Sequence, residues 1–153
     1  MANTYTHLYI QFVFAVKYRK SLILPFWKNS LYKYMTGTIQ NHRHKLIVIK
    51  GMPDHMHILV GLYPNQTLSE LMKFAKAESS EWINKNRNTS EKFYWQEGFG
   101  AFSYSRSQMN NVIHHIEYQE SHHQKQSFRE EYIDQLKTFD IHFNEQYIFH
   151  DIL

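Results

Sequence analysis

The amino-acid sequence predicts an α+β fold of the ferredoxin-like, split β-α-β class: a four-stranded antiparallel sheet with two helices on one face, plus extra C-terminal helices. Three observations predict it. Apolar residues alternate in several short segments, and they recur at three- and four-residue spacing in others. The two kinds of segment follow one another as β-α-β-β-α-β-α-α, and the first six match the split β-α-β plan.

Four segments have the pattern of strands. Residues 45–50 and 55–62 form two apolar runs joined by a short turn at 51–54. Residues 93–104 are predicted to be the fourth strand, with Gly98 and Gly100 at a bend or bulge. The first strand, 7–16, alternates so that one face would carry Leu8, Ile10, Phe12, Phe14 and Val16.

Four segments have the pattern of helices. The first, 26–43, follows Pro25 and would bury Phe26, Leu31, Met35 and Ile39. The second starts at a capping box, Thr67–Glu70, and would bury Leu68, Leu71, Met72, Ala75, Ser79, Trp82 and Ile83. The third and fourth are predicted at about 106–123 and 128–138.

Length and composition set broad limits. A chain of 153 residues is long enough for one domain, so we expect a single domain over 1–153. With 42% hydrophobic and 16% aromatic residues it is not a disordered chain. No apolar run suits a membrane span and the N-terminus lacks a secretory signal, so we expect a cytoplasmic protein with no membrane partner. The net charge of +3 is compatible with nucleic acid without establishing it.

The third strand carries a possible metal site. Alternation places His55 and His57 on one face and Met56 and Ile58 on the other. The two imidazoles would lie roughly 6–7 Å apart along the strand, close enough to hold one ion. The alternative is a pair of polar residues on a solvent-facing strand, because His is common in this chain.

The third helix offers a third ligand. Its apolar stripe leaves His115 and Gln119 side by side at the stripe's edge, as i and i+4 neighbours. Tyr118 projects about 100° away from Gln119, on the more polar side. An amide oxygen together with two neutral imidazoles suits Mg²⁺ or Mn²⁺. The alternative is a surface helix with scattered His residues.

Four motifs, in order, resemble one known family. They are Pro53–Val60 (PDHMHILV), Trp95–Ser103 (WQEGFGAFS), Ile116–His123 (IEYQESHH) and Ser127–Tyr132 (SFREEY). They resemble the single-tyrosine HUH transposases of the insertion-sequence-200/605 type, including the repeat-associated tyrosine transposases. The likeness extends from about residue 7 to residue 149.

The resemblance implies a function and a ligand set. It implies a DNA transposase that binds single-stranded DNA with a hairpin and performs metal-dependent cleavage and strand transfer through a covalent 5′-phospho-protein intermediate. The divalent metal, Mg²⁺ or Mn²⁺, would be held by His55, His57 and Gln119. The family also implies a homodimer with shared active sites, and a nucleophilic Tyr four residues before the Gln. That position is His115 in this sequence.

The missing tyrosine leaves three possibilities open. Tyr118 can substitute as the catalytic residue if the helix rotates or shifts. His115 can attack instead and form a phosphoramidate. The third possibility is that strand transfer is lost, which would leave a catalytically impaired, metal-binding protein that binds hairpin DNA.

Basic residues suggest where DNA would bind. Lys17, Arg19 and Lys20 follow the first strand, and Lys73 and Lys76 lie on the second helix; all five are candidate phosphate contacts. The alternative for each is an ordinary solvated side chain.

Two rival functions use the same fold. One is a non-enzymatic nucleic-acid-binding module, which would stack bases on the non-core face of the sheet. That face would present Tyr9 and Gln11 on the first strand, and His55 and His57 on the third, where stacking rings would be needed. The other rival is a metal-dependent hydrolase that nicks DNA without strand transfer.

Overall fold

A computed structural model describes residues 5–86, 88–118 and 127–142 of the chain. Four strands form one sheet in the order β2-β3-β1-β4, with every neighbouring pair antiparallel. This is the predicted α+β, split β-α-β fold. The strands are β1, Tyr9–Ala15; β2, Lys45–Met52; β3, His55–Gly61; and β4, Gly100–Tyr104.

The strand β3 lies inside the sheet, between β2 and β1. In the β1–β3 register Val13 is opposite His57 and Ala15 is opposite His55. The two strands therefore bring the end of β1 and the start of β3 together. The residue after β1 remains close to the start of β3, since Val16 donates its backbone N–H to the carbonyl of Asp54.

Two long helices cover one face of the sheet: α1, Pro25–Asn41, and α2, Leu68–Lys85. The predicted cap of α2 is confirmed, because the Thr67 hydroxyl accepts from the backbone N–H of Glu70. In α1 one prediction is wrong: Phe26 is exposed and Trp27 is buried instead. A one-residue error turns a helical side chain by about 100°, which moves it off the buried stripe.

The second face of the sheet is covered as well. The short helix α3, Met109–Glu117, packs Met109 and Ile116 against Leu59 of β3. The helix α4, Phe128–Thr138, packs its apolar side against Val13, Ala15 and Phe102 through Phe128, Tyr132 and Leu136. The predicted location of α4 is confirmed. Because α3 and α4 cover this face, it is not open to solvent.

Two other boundaries differ from prediction. The fourth strand begins at Gly100, and the preceding segment contributes only an isolated bridge between Val16 and Trp95. The third helix is preceded by a short 3-10 turn, and its described part ends at Glu117; residues 119–123 lie outside the described residues.

A glycine is required where α4 meets the sheet. A Cβ at Gly100 would lie 2.5 Å from the hydroxyl oxygen of Tyr132 on α4. The lack of a side chain at Gly100 thus lets the helix approach β4 closely. None of the helices in the described segments is long and apolar enough to cross a membrane.

Candidate metal and DNA site

The side chains of His55 and His57 lie on the face of β3 that α3 and α4 cover, and both are 1% exposed. Met56 and Ile58 point to the opposite side, into the core under α1 and α2. The alternation predicted from the sequence is therefore correct, and the face that carries the two histidines is covered by α3 and α4. The two imidazole rings are 5.2 Å apart between centroids, and both Nε2 atoms are buried.

A buried carboxylate supports the first imidazole. Asp54 Oδ1 lies 2.7 Å from Nδ1 of His55, and Asp54 Oδ2 accepts from Nη2 of Arg19 at 2.8 Å. Burial by itself would raise the pKa of Asp54, but its hydrogen bonds with His55 and with the charged Arg19 outweigh burial and hold that pKa below its ordinary value. Asp54 is thus a carboxylate that accepts the Nδ1 proton of His55 and leaves Nε2 as the lone-pair nitrogen.

The position of Arg19 depends on an unusual backbone turn. Tyr18 and Arg19 both have positive φ angles, 58° and 52°, which L residues adopt at a cost. The turn reverses the chain directly after β1 and directs the guanidinium inward, over the ring of Phe128 at 5.2 Å. Since strained backbone persists only where its surroundings hold it, the Arg19–Asp54 ion pair is one contact that maintains this turn.

The second imidazole has a different partner. Nδ1 of His57 lies 2.9 Å from Nε2 of Gln11 on β1. The Oε1 atom of Gln11 accepts from the hydroxyl of Tyr104 and from Nε2 of Gln135. Burial raises the pKa of Tyr104, so its hydroxyl keeps its proton at neutral pH.

Helix α4 places two more side chains on the histidine pair. The Phe128 ring stacks on the His55 ring, with 3.7 Å between centroids and 7° between planes. Glu131 is 6% exposed; its Oε1 lies 3.5 Å from Nε2 of His57, and its Oε2 lies 3.6 Å from Nε2 of His115. Glu131 therefore links the histidine pair to the residue at the expected nucleophile position.

The two candidate nucleophiles are placed differently. His115 lines a cavity of about 380 Å³ between α3 and α4, together with Gln11, Glu131 and Gln135. Tyr118 caps the C-terminal end of α3, is 56% exposed, and has its ring 4.4 Å from that of His114. Gln119, the third predicted metal ligand, lies outside the described residues.

The described residues supply some of the ligands that a divalent cation needs, but not a complete set. Two imidazoles share one face, and His55 has the carboxylate support that is common behind metal-binding histidines. In residues 5–86, 88–118 and 127–142, however, no three or more His, Cys, Asp or Glu side chains are arranged to hold a metal. Further ligands would have to come from Gln119, from water or from a bound phosphate.

The predicted DNA contacts separate into two groups. Lys17, Lys20 and Lys73 are exposed, and Lys20 forms a surface ion pair with Glu91. Arg19 is buried against Asp54, and Lys76 donates to the carbonyl groups of Gln96 and Gly98. Both of the latter side chains thus have contacts within the protein, and a phosphate contact by either of them stays a prediction.

Lys76 provides a pH-dependent prediction. Burial lowers its pKa from 10.5 to about 8, while Glu97 opposes that change. Between pH 8 and 10 the unfolded chain therefore binds more protons at this site than the folded chain, so stability should rise with pH. We expect the urea midpoint of the native protein, relative to that of Lys76→Met, to increase across this range. A constant difference between the two midpoints would contradict the assignment.

Two basic surfaces line small cavities. The near surface lies beside the histidine end of the sheet and comprises three lysines, two aromatic rings and one acid: Lys17, Lys20, Lys92, Tyr18, Tyr94 and Glu91. Lys17 lies 5.4 Å from both ring centroids. The far surface is at the opposite end of the strands, and the residues that line it include no acid; its basic and aromatic members are His7, Tyr9, Arg43, Lys45, Tyr63 and Arg106.

Sequence reasoning missed several members of the site. Asp54 was part of a recognised motif, but its contact with Arg19 depends on a positive-φ turn that no pattern indicated. Gln11 did carry a signal, being a polar residue on an otherwise apolar central strand. Glu131 lies in the motif Ser127–Tyr132, but an acidic residue in the first turn of a helix is ordinary and did not indicate a member of the site.

The His55–Met56–His57 segment thus lies on a central strand of a ferredoxin-like sheet. The family model described as "Transposase IS200 like" matches residues 4–119. The chain belongs to this IS200-like transposase family. No curated protein sequence matches it significantly.

Two solved structures share the fold. A proposed transposase from Deinococcus radiodurans R1 aligns with a TM-score of 0.60 and 17% identity, covering 78% of this chain and 96% of the other. A REP-associated tyrosine transposase bound to a REP hairpin aligns with a TM-score of 0.61 and 14% identity, covering 80% of this chain and 73% of the other.

Proposed function

We propose that this transposase binds single-stranded DNA that contains a hairpin, and cleaves and transfers the strand with a divalent metal, Mg²⁺ or Mn²⁺, held at His55 and His57. The observation that carries the proposal is the buried histidine pair with Asp54 behind it, in a chain of the IS200-like family. Gln119 remains the proposed third ligand. The REP hairpin bound by the structural relative supports a hairpin as the partner.

Among the two candidate nucleophiles, the geometry favours His115. Its Nε2 faces Glu131, which in turn faces His57, whereas Tyr118 lies on the exposed side at the end of α3. For Tyr118 to attack, α3 would have to rotate. We therefore place His115 as the catalytic residue and keep Tyr118 as the alternative.

In the covalent step Nδ1 of His115 would form a bond to the scissile phosphorus while the P–O3′ bond breaks. The electron pair leaves with O3′, which takes up a proton from solvent water. The Nε2 proton of the phosphorylated ring passes to the Glu131 carboxylate, the acceptor that faces it. A metal at the pair would neutralise charge on the leaving oxygen. The resulting 5′-phosphoramidate can be attacked by a new 3′ hydroxyl, which reverses the step on another strand.

Two observations favour a second candidate function. The expected tyrosine is absent, and Glu131 with Phe128 covers the histidine pair. A protein so arranged can bind metal and hairpin DNA without performing strand transfer. This catalytically impaired, DNA-binding function is the alternative.

Trapping the covalent intermediate distinguishes His115 from Tyr118 as the nucleophile, and both from a protein without strand transfer. We expect the native protein with Mn²⁺ and 5′-labelled and 3′-labelled hairpin oligonucleotides to give a protein–DNA adduct on a denaturing gel at neutral or alkaline pH. Phosphoramidates hydrolyse in acid whereas tyrosyl phosphodiesters do not, so an acid-labile adduct lost in His115→Ala and kept in Tyr118→Phe supports His115. An acid-stable adduct lost in Tyr118→Phe identifies the tyrosine. No adduct with intact hairpin binding supports the impaired function, and nicking without an adduct supports a hydrolase.

The near surface is the proposed contact for the unpaired strand. It adjoins the histidine end of the sheet and combines three lysines with two exposed aromatic rings, a combination suited to backbone phosphates and stacked bases. Lys17 and Lys20 keep their predicted role there, and Lys73 remains a separate candidate. The far surface, rich in arginine and lysine, is suited to the hairpin stem.

Salt dependence distinguishes the two surfaces. Changing Lys17, Lys20 and Lys92 together to Gln should weaken binding of a hairpin with a single-stranded flank, and should lower the salt slope by roughly 0.7 for each phosphate of the single strand that the protein no longer neutralises. A blunt hairpin should be less affected. A control triple of Lys28, Lys33 and Lys85 removes the same charge from α1 and α2. An equal weakening of binding by the two triples would contradict the assignment.

Assembly is also part of the proposal. The resemblance predicts a homodimer with shared active sites, and β2, at an edge of the described sheet, is a strand through which two copies can pair. In this chain α3 packs on its own sheet and brings His115 to the Glu131 of the same chain. A shared site would require α3 to exchange between copies.

A further inference from the structure

The contacts of His57 continue away from the histidine pair through three polar side chains. Tyr104 donates its hydroxyl to Oε1 of Gln11 at 2.9 Å, and Nε2 of Gln135 donates to the same oxygen at 3.1 Å. Nε2 of Gln135 also donates to the Tyr104 oxygen at 2.9 Å. In this arrangement the oxygen of the Gln11 amide faces Tyr104 and Gln135, and the nitrogen of the amide faces His57.

This orientation determines the tautomer of His57. An amide nitrogen is a donor only, so Nδ1 of His57 accepts, and the neutral ring carries its proton on Nε2. A metal ligand must offer a lone pair, and Nε2 is the nitrogen that faces Glu131 and the interior of the site. In this tautomer Nε2 of His57 carries a proton, so it has no lone pair to offer a cation.

His55 is held in the opposite tautomer. Its Nδ1 lies 2.7 Å from Oδ1 of Asp54, a carboxylate that can only accept. The proton of His55 is therefore on Nδ1, and Nε2 offers its lone pair. In this structure Nε2 of His55 can therefore bind a metal, whereas Nε2 of His57 cannot.

We propose that Gln11 and Gln135 form a two-position amide switch that sets which nitrogen of His57 carries the proton, and that metal binding requires both amides to turn over. The proposal rests on the metal site of the proposed function. Gln11 and Gln135 are positioning residues, since they act on the site through His57.

When the amides of Gln11 and Gln135 are both turned over, the same side chains can again form hydrogen bonds with one another. Oε1 of Gln11 then accepts from Nδ1 of His57, and Nε2 of Gln11 donates to the Tyr104 oxygen and to Oε1 of Gln135. The Tyr104 hydroxyl donates to Oε1 of Gln135. Each donor again has an acceptor, and only side-chain amides rotate. The three residues line the cavity that also contains His115 and Glu131, which gives the amides room to turn.

The switch links α4 to the histidine pair. Gln135 lies one helical turn beyond Glu131 on the same helix, so the helix that covers the site also holds the amide that fixes Gln11. Displacement of α4 would release Oε1 of Gln11 from one of its two donors. Uncovering the site and preparing His57 for a metal are therefore coupled.

Nitrogen-15 spectra of the imidazole rings test the tautomers directly. In the metal-free native protein we expect His57 to carry its proton on Nε2 and His55 to carry it on Nδ1, with peaks assigned by comparison with His57→Gln and His55→Gln. Saturation with Mg²⁺ should move the His57 proton to Nδ1. A metal-free His57 with its proton on Nδ1 would overturn the proposal, whatever the variants show.

A variant remote from His57 tests the control of the tautomer. In Gln135→Glu the new carboxylate only accepts, so Gln11 must turn its nitrogen toward it and its oxygen toward His57. We expect the His57 proton on Nδ1 without metal, and Mn²⁺ binding tightened by about 10-fold, in the range typical for groups that orient metal ligands. Gln11→Glu, which touches His57 directly, should have the same two effects.

The matched control is Gln66→Glu. Gln66 also contacts an imidazole, with Oε1 2.8 Å from Nε2 of His44, but it is not part of the cavity between α3 and α4. We expect it to leave the His57 tautomer and the Mn²⁺ affinity, measured by electron paramagnetic resonance, unchanged. If Gln135→Glu binds Mn²⁺ more tightly but leaves the His57 tautomer unchanged, the effect comes from the added charge and the switch is refuted. Weaker Mn²⁺ binding by Gln135→Glu would also refute it. If the native protein does not bind Mn²⁺, or if His55→Ala binds it as tightly as the native protein, the proposed metal site itself fails.

Discussion

His57→Ala is expected to abolish specific Mn²⁺ binding, with an affinity loss of at least about 100-fold, because it removes one of two imidazoles on the described face of the site. The native protein should also gain thermal stability when Mn²⁺ is added, since the ion binds only the folded chain. The variant should show no such gain. Hairpin binding by the two basic surfaces should persist, because those surfaces do not include His57.

His44→Ala is the control for the loss of a buried imidazole. His44 is 3% exposed and contacts Gln66 and the backbone N–H of Tyr63, outside the cavity beside the histidine pair. It should lose stability and keep its Mn²⁺ affinity. Equal Mn²⁺ affinity in native protein and His57→Ala, measured on protein shown to be folded by circular dichroism, would refute the metal site.

Asp54→Asn is expected to have the second large effect, a loss of about 3–5 kcal/mol in the free energy of unfolding. Asparagine keeps the shape of the side chain and removes its charge, which leaves the Arg19 guanidinium buried beside a neutral group. Its amide can also present a donor to Nδ1 of His55, which would favour the opposite tautomer. Mn²⁺ affinity should therefore fall by about 10- to 100-fold.

Two further variants separate these effects. Glu91→Gln breaks the exposed ion pair with Lys20 and should change stability by less than about 1 kcal/mol. The double variant Arg19→Met, Asp54→Asn removes both buried charges, so it should recover much of the lost stability and none of the lost Mn²⁺ affinity. Urea unfolding and Mn²⁺ titration measure the two quantities. A stable Asp54→Asn protein would show that the buried pair contributes little.

The sequence predicted the parts of this protein that depend on local periodicity. Alternation on β3 placed His55 and His57 on one face, opposite Met56 and Ile58, and the capping box located the start of α2. The order of elements was sufficient for the fold. In α1 the same reasoning failed by one residue, where Trp27 and not Phe26 is buried, because two adjacent aromatic residues satisfy the pattern almost equally well.

The remaining parts depend on contacts between distant segments. Gln135 donates a hydrogen bond to Gln11, although 124 positions of the sequence separate them, and no periodicity relates β1 to α4. The approach of Glu131 to His57 depends on how α4 packs on the sheet, which in turn needs Gly100 beneath Tyr132. The burial of the histidine pair follows from that packing, and local patterns give no information on it.

The stacking of Phe128 on His55 has a kinetic consequence. In the proposed function a phosphate reaches His55 only after the Phe128 ring has left the His55 ring, so productive DNA binding would contain a unimolecular step that precedes or follows the encounter. The observed rate of site engagement would then level off at high DNA concentration, at the rate at which that ring moves. Such a delay would allow a bound strand to dissociate before its phosphodiester bond is cleaved.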